Sequence, residues 1–149
     1  MILPEVRDPA MVTIRRGGTL TDDDHRLLAL WAADCAEHVL PLFEREAPED
    51  TRARDAVAAT RAWADGTLEM MRARTAGGHA MGAARPLRGA ARFAAYAIKA
   101  ARSVNPEDPA AGRRERDWQR DQLPGQVREL VLADQRRRNS ICWFLFDTD

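Results

Sequence analysis

Lysine is almost missing from this 149-residue chain: Lys99 stands alone against 22 arginines. So one-sided a choice between two cations reads as GC-rich coding rather than as a nucleic-acid surface. No excess of either sign exists, because 23 basic and 23 acidic residues cancel. They also interleave along most of the chain, so no nucleic-acid partner is expected. Cysteine is scarce: Cys35 and Cys142 cannot form a disulfide framework and fit a reducing cytoplasm. Long apolar runs are missing too, none approaching the roughly 20 residues of a membrane span. The start, Met1-Ile-Leu-Pro-Glu-Val-Arg7, has no basic stretch followed by an apolar one, unlike a secretory leader. The expectation is a soluble cytoplasmic protein with no membrane partner.

Alternation of apolar and polar residues is rare. Only residues 11–14 and 141–146 read as extended, whereas 27 alanines and several helix-start and helix-stop signals point the other way. Thr21-Asp-Asp-Asp24 offers a cap and three acids where a helix dipole favours them. Leu28, Trp31, Cys35, Val39 and Leu42 follow at near-helical spacing, up to Pro41 and the loop Ala47-Pro-Glu-Asp50. A second helix spans about 51–65, with Ala53, Val57, Thr60 and Ala64 inward, Trp63 on its last turn and Gly66 ending it. A third, 67–84, is diluted by Gly77, Gly78 and Gly82 and stops at Arg85-Pro86. A fourth runs over 87–103. Asn105-Pro-Glu-Asp-Pro109 is a turn, residues 112–121 form a charged helix around Trp118, and Leu123-Pro124 opens a last helix closed by Asn139.

The expected fold is therefore all-α: a single-domain bundle of about five to six helices over 1–149, with residues 1–20 irregular. At this length a core needs no metal or disulfide staple. Its expected centre is Leu28, Trp31, Cys35, Val57, Trp63, Phe93, Val127, Leu130 and Trp143. Residues 140–149 form an apolar tail. Ile141, Trp143 and Phe146 are too apolar to hang free, and burial would stabilise by about 1.5–3 kcal/mol each. The tail is expected to fold back near the first helix of its own chain or of a dimer mate.

Reaction chemistry is hard to find. Cys35-Ala-Glu-His38 puts a thiol and an imidazole three residues apart on one helix. With His79 and Cys142 these residues make up a Cys2His2 set, but the spacing is far from that of a zinc finger. No metal and no cofactor is expected, with Cys35 and His38 the only weak metal candidates. Cys35 has no helix start or basic cluster to activate it as a nucleophile. Asp22 and Asp24 read as caps, and His25, in a first turn, reads as solvated. Gly77-Gly78 is no phosphate loop, since no Gly-Lys-Ser/Thr follows. Arg136, Arg137 and Arg138 offset a helix C-terminus and could steer an acidic partner. Together with Trp143, Tyr96 and His79 they make up the expected ligand or partner surface, with no catalytic residue.

Four blocks carry a resemblance. They are Arg15-Arg-Gly-Gly-Thr-Leu-Thr-Asp-Asp-Asp-His-Arg-Leu-Leu28 with Trp31-Ala-Ala-Asp-Cys-Ala-Glu37; Arg61-Ala-Trp63; Ala94-Ala-Tyr-Ala-Ile-Lys-Ala100; and a set from Glu115-Arg-Asp-Trp-Gln-Arg120 through Arg128-Glu-Leu-Val-Leu132 to Asp134-Gln-Arg-Arg-Arg-Asn139 and Ile141-Cys-Trp143. In this order they resemble the bacterial Imm-5-like immunity protein family, whose members are also loosely labelled exonuclease homologues. The resemblance implies a small helical cytoplasmic protein that neutralises a toxin by binding it, without catalytic residues. The exonuclease label finds no P-loop or coiled-coil heptad here. Similar sequences are expected to carry a longer Ala/His-rich stretch between the positions of Arg74 and Phe93. Its shortness here would leave apolar faces uncovered, favouring a homodimer or a ligand cavity. Two other classes remain open. One is a helical small-molecule binder, such as a resistance or biosynthetic accessory protein, built around the tryptophans and Gly/Ala-lined helices. The other is an enzyme using Cys35, His38, His79 or Tyr96.

Overall fold

The structure, a computed structural model, describes residues 8–83 and 94–147, with the side chains of all but 80–83 and 94–96. The described residues form six α-helices and no strand: α1 Asp22–Glu46, α2 Arg52–Ala64, α3 Met70–Ala83, α4 Ala94–Val104, α5 Ala111–Asp121 and α6 Gly125–Arg138. The all-α expectation holds. Phe93, assigned to the core from sequence, and residues 84–92 lie outside the described part.

The longest helix starts as its first residues dictate. Thr21 Oγ1 accepts from the Asp24 amide at 3.1 Å, and Asp22, Asp23 and Asp24 occupy the first turn. Pro41 sits inside α1, which continues to Glu46. α1 buries two stripes. Trp31 and Cys35 meet Leu123 and Val131 from the α5–α6 side, with Leu28 and Leu132 packed against them. Leu40 and Phe43 meet Ala47 and Ala53 around the α1–α2 turn. The Trp31 indole N–H donates to the Gln119 carbonyl at 2.7 Å, so this large apolar ring keeps its polar handle satisfied inside. α2 and α3 pack as a pair, joined where Gly66 takes a left-handed φ of 78° and Thr67 returns its amide to the Ala62 carbonyl at 2.9 Å. α4 packs on α5 and on α1, and α6 also touches α1.

Residues 8–20 hold two 3-10 turns, Pro9–Met11 and Ile14–Arg16, and one bridge between Thr13 and Leu20. The extended piece read at 11–14 is thus reduced to that bridge. The segment is pinned by its own backbone: Thr19 donates to the Pro9 carbonyl at 2.9 Å and Leu20 to that of Val12 at 2.9 Å. Gly18 makes this possible, since a Cβ there would run into the carbonyl oxygens of Pro9 and Val12.

The tail departs from expectation in an instructive way. It does fold back, onto Ile98 of α4 and onto α5, whose Arg116 and Arg120 donate to the carbonyls of Asp147 and Phe146. Cys142 and Phe146 pack with Ile98, and Leu145 leans on them. Trp143 is 42% exposed and Ile141 39%, so neither belongs to the core. The cause is local geometry. A 3-10 turn, Ser140–Cys142, is followed by two left-handed residues, Trp143 (φ 57°) and Phe144 (φ 56°), so the chain reverses and only Cys142 and Phe146 point inward. The reversal is stitched by Asn139, whose side-chain oxygen accepts from the Phe146 amide at 3.0 Å. Trp63 and Leu130 are also only partly buried.

Candidate functional site

The arginine triplet at the end of α6 does not form one open patch. Arg138 pairs with Asp134 at 2.7 Å, one turn back, and Arg137 pairs with Asp8, tying the N-terminal segment to α6; Arg136 is exposed. Trp143 lies beneath the Lys99 ammonium, 4.0 Å from the ring centroid, a cation–π contact. His79 is exposed on α3, away from these groups in the fold order. Tyr96 falls in α4, but its side chain lies outside the described residues. Trp143 thus lies between α4 and the end of α6, while His79 stands on α3.

Cys35 and His38 part company as well. Cys35 is fully buried against Trp31, Leu123 and Val131, and burial, helped by the nearby Glu115 and Asp34 charges, pushes its thiol up to about 12. A thiol so hard to ionise is a poor nucleophile and a poor metal ligand. His38 instead stacks on Trp118, ring centroids 3.6 Å apart and planes 10° apart. Its Nδ1 lies 2.8 Å from Glu115 Oε2, while the other Glu115 oxygen accepts from Gln119 Nε2 at 2.9 Å. Among the described residues no three His, Cys, Asp or Glu side chains gather as metal ligands.

Among the described residues, hollows open on the surface at two places that bear on function. One, of about 410 Å³, is shallow and lies over the His38–Trp118 stack, edged by Asp34, Glu37 and Gln122. Asp34 and Glu37 share Arg61, at 2.9 and 2.6 Å, so both acids at its edge are already engaged. The other, of about 600 Å³, lies where segment 8–20 crosses the start of α1, the end of α2 and the start of α3. Its lining joins apolar Met11, Leu20, Leu28, Trp63 and Met70 to Arg15, Arg16 and Arg74. His25 belongs to it, edge-on to Trp63 at 4.8 Å. The solvated reading of His25 is corrected here: its ring is half-buried. That burial lowers its pKa, and although Asp22 opposes the shift, Arg15, Arg74 and Arg16 add to it. The imidazole is accordingly neutral at pH 7.

Sequence reasoning missed both the Glu115–Gln119 pair and this second hollow. The former had a readable sign: Ala111, Gly112, Glu115 and Gln119 fall at helical spacing, yet two of them are polar, so hydropathy reads a solvated face. The latter depends on segment 8–20 crossing three helices, which no local pattern encodes.

Comparison with known proteins adds one match. The family model described as Imm-5 like putative immunity protein matches residues 18–95. No curated protein and no solved structure matches the chain. The matched stretch runs from the turn before α1 into α4, and so includes the helices that wall the larger hollow.

Proposed function

The chain belongs to the Imm-5 like immunity protein family, and from that premise we propose that it neutralises a toxin by binding it directly. One observation carries the reading. Six of the eleven residues lining the larger hollow, Leu20, His25, Leu28, Trp63, Met70 and Arg74, fall within the matched residues 18–95. The matched residues supply most of the apolar floor and one cation, Arg74, while Arg15 and Arg16 come from the segment before them, and a concave surface of this mixed composition suits protein recognition. The groups that could do chemistry support the same reading, since Cys35 is buried and hard to ionise and His38 is engaged by Glu115 and Trp118. In this proposal the chain works as one helical domain in the cytoplasm, where its two unbridged thiols are at home. Among the described residues no helix is long and apolar enough to cross a membrane.

The test is co-expression with the toxin encoded beside its gene. Restored growth, together with a stable complex of intact toxin and this chain on size exclusion, is the expected result. Protection accompanied by cleavage or modification of the toxin would replace binding with catalysis. A second reading, a small-molecule binder, draws on the 600 Å³ volume, which suits a drug-sized ligand. It predicts protection of cells against a compound with no toxin gene present.

A further inference from the structure

We infer that the hollow between segment 8–20 and α1–α3 receives a short acidic segment of the protein partner, with an apolar side chain of that segment against Trp63 and its carboxylates on Arg16 and Arg74. This rests on the binding reading above and gives it a site and a chemistry.

The charges at the hollow are out of balance. Arg15 is engaged by Asp22 at 2.9 Å, but among the described residues neither Arg16 nor Arg74 has an ion-pair partner. The two come from different walls, Arg16 from the second 3-10 turn and Arg74 from α3. A planar guanidinium offers a fork of donors that fits a carboxylate two bonds at a time. The floor between them is apolar, with Leu20 buried and Trp63 half-open, so an aliphatic or aromatic side chain would find contact there. Burial disfavours the charged form of His25, so anion recognition rests mainly on the arginines.

The surroundings limit what can bind. Asp22, Asp23 and Asp24 stand at the start of α1 beside the hollow, and Asp34 and Glu37 lie farther along the same helix. Acids so close to the arginines disfavour a long polyanion more than a segment of a few residues that reaches only Arg16 and Arg74. The rim is also set before binding. Arg16 donates its amide to Thr13 at 2.8 Å, Gly17 donates to Ile14 at 3.0 Å, and Gly18 is locked against Pro9 and Val12. Little ordering is left for the partner to drive.

Three synthetic peptides test this: Asp/Glu residues flanking a central Leu, the same peptide with Asn/Gln for the acids, and the acidic peptide with Ser for Leu. Binding is read from the NMR shift of the Trp63 indole N–H, assigned with Trp63→Phe. We expect the first peptide to saturate, with affinity falling as salt rises. The other two, and the Arg16→Glu/Arg74→Glu double variant, should each bind about tenfold more weakly or worse. Equal binding by the uncharged peptide or by the double variant overturns the inference, as does no Trp63 shift at all. Binding of 4-phenylbutyrate as tight as that of the acidic Leu peptide also overturns it, in favour of a small-molecule pocket. In the co-expression assay the double variant should lose protection while keeping its helical circular dichroism and melting temperature. If wild type and double variant protect equally, this site is wrong and the binding function stands. If the wild type fails to protect, the function is wrong, and the peptide titration alone decides the chemistry of the hollow.

Discussion

Arginine is spent in two opposite ways in the two halves of the molecule. In the α5–α6–tail half it acts as an internal fastener. Arg120 donates to Gln135 Oε1 and to the Phe146 carbonyl, both at 3.0 Å, Arg116 donates to the Asp147 carbonyl, and Arg128 donates to the Arg120 carbonyl at 2.6 Å. Two of these bonds, to Phe146 and Asp147, satisfy carbonyls of the reversed tail, and the other two tie α5 to α6. In the segment 8–20 and α1–α3 half, Arg61 still ties α2 to α1 through Asp34 and Glu37, but Arg16 and Arg74 edge a hollow with no ion-pair partner among the described residues. Under the proposal above, the same residue type fastens the fold at Arg116 and Arg120 and serves recognition at Arg16 and Arg74, and net charge alone cannot tell the two apart.

The largest expected effects attack the fastened half. Phe146→Ala should destabilise by about 3–5 kcal/mol, because it empties the contact with Ile98 and Cys142. Removal of residues 140–149 should lower the melting temperature further or leave the protein insoluble. Trp143→Ala, by contrast, should cost under about 1 kcal/mol, as expected of a half-exposed ring. A reversed order of these two in chemical denaturation would put Trp143 in the core after all. Trp31→Ala belongs with Phe146→Ala, at about 3–5 kcal/mol, with the Gln119 carbonyl losing its donor as well.

Next come the arginines themselves. Arg120→Ala should cost about 1–3 kcal/mol, since two acceptors lose their donor. Arg74→Ala should stay within about 0.5 kcal/mol. Equal losses in thermal melts would erase the contrast between the halves.

A smaller effect is set by His25. Burial lowers its pKa in the folded state below 6.5, so the unfolded chain binds more protons in that range. Its contribution to stability is therefore present above pH 6.5 and is lost as pH falls below it. His25→Gln should flatten the stability profile in that window, measured by denaturant midpoints between pH 5 and 7.5. Least of all, the thiols should be silent: Cys35 and Cys142 should react with a thiol reagent only after unfolding, because burial raises both.

Much of the architecture is legible from local chemistry. Thr21 and its three acids start α1 where a cap should, Gly66 ends α2 in the left-handed region, and the charged run around Trp118 is helical. Trp31, Cys35, Val57 and Val127 are buried as their spacing indicates. The failures share one physical origin: side chains whose fate is decided by distant partners. Trp143 is apolar enough for the core, yet two left-handed residues turn it outward. Glu115 and Gln119 are polar enough for the surface, yet each finds a hydrogen-bond partner within and is buried. His25 reads as solvated until Trp63, on another helix, comes to lie against it. The hollow follows the same rule, since it exists only once segment 8–20 has crossed three helices.

The indole bond from Trp31 to Gln119 spans 88 residues of sequence. Its two ends differ sharply in the cost of meeting. The turns that join α1 to α2 and α2 to α3 are only a few residues long and close cheaply, whereas the Trp31 stripe must wait for a loop of the whole intervening chain to shut. Folding speed should therefore be governed by this one docking event. Substitutions confined to the α2–α3 pair would then act mainly on the unfolding rate.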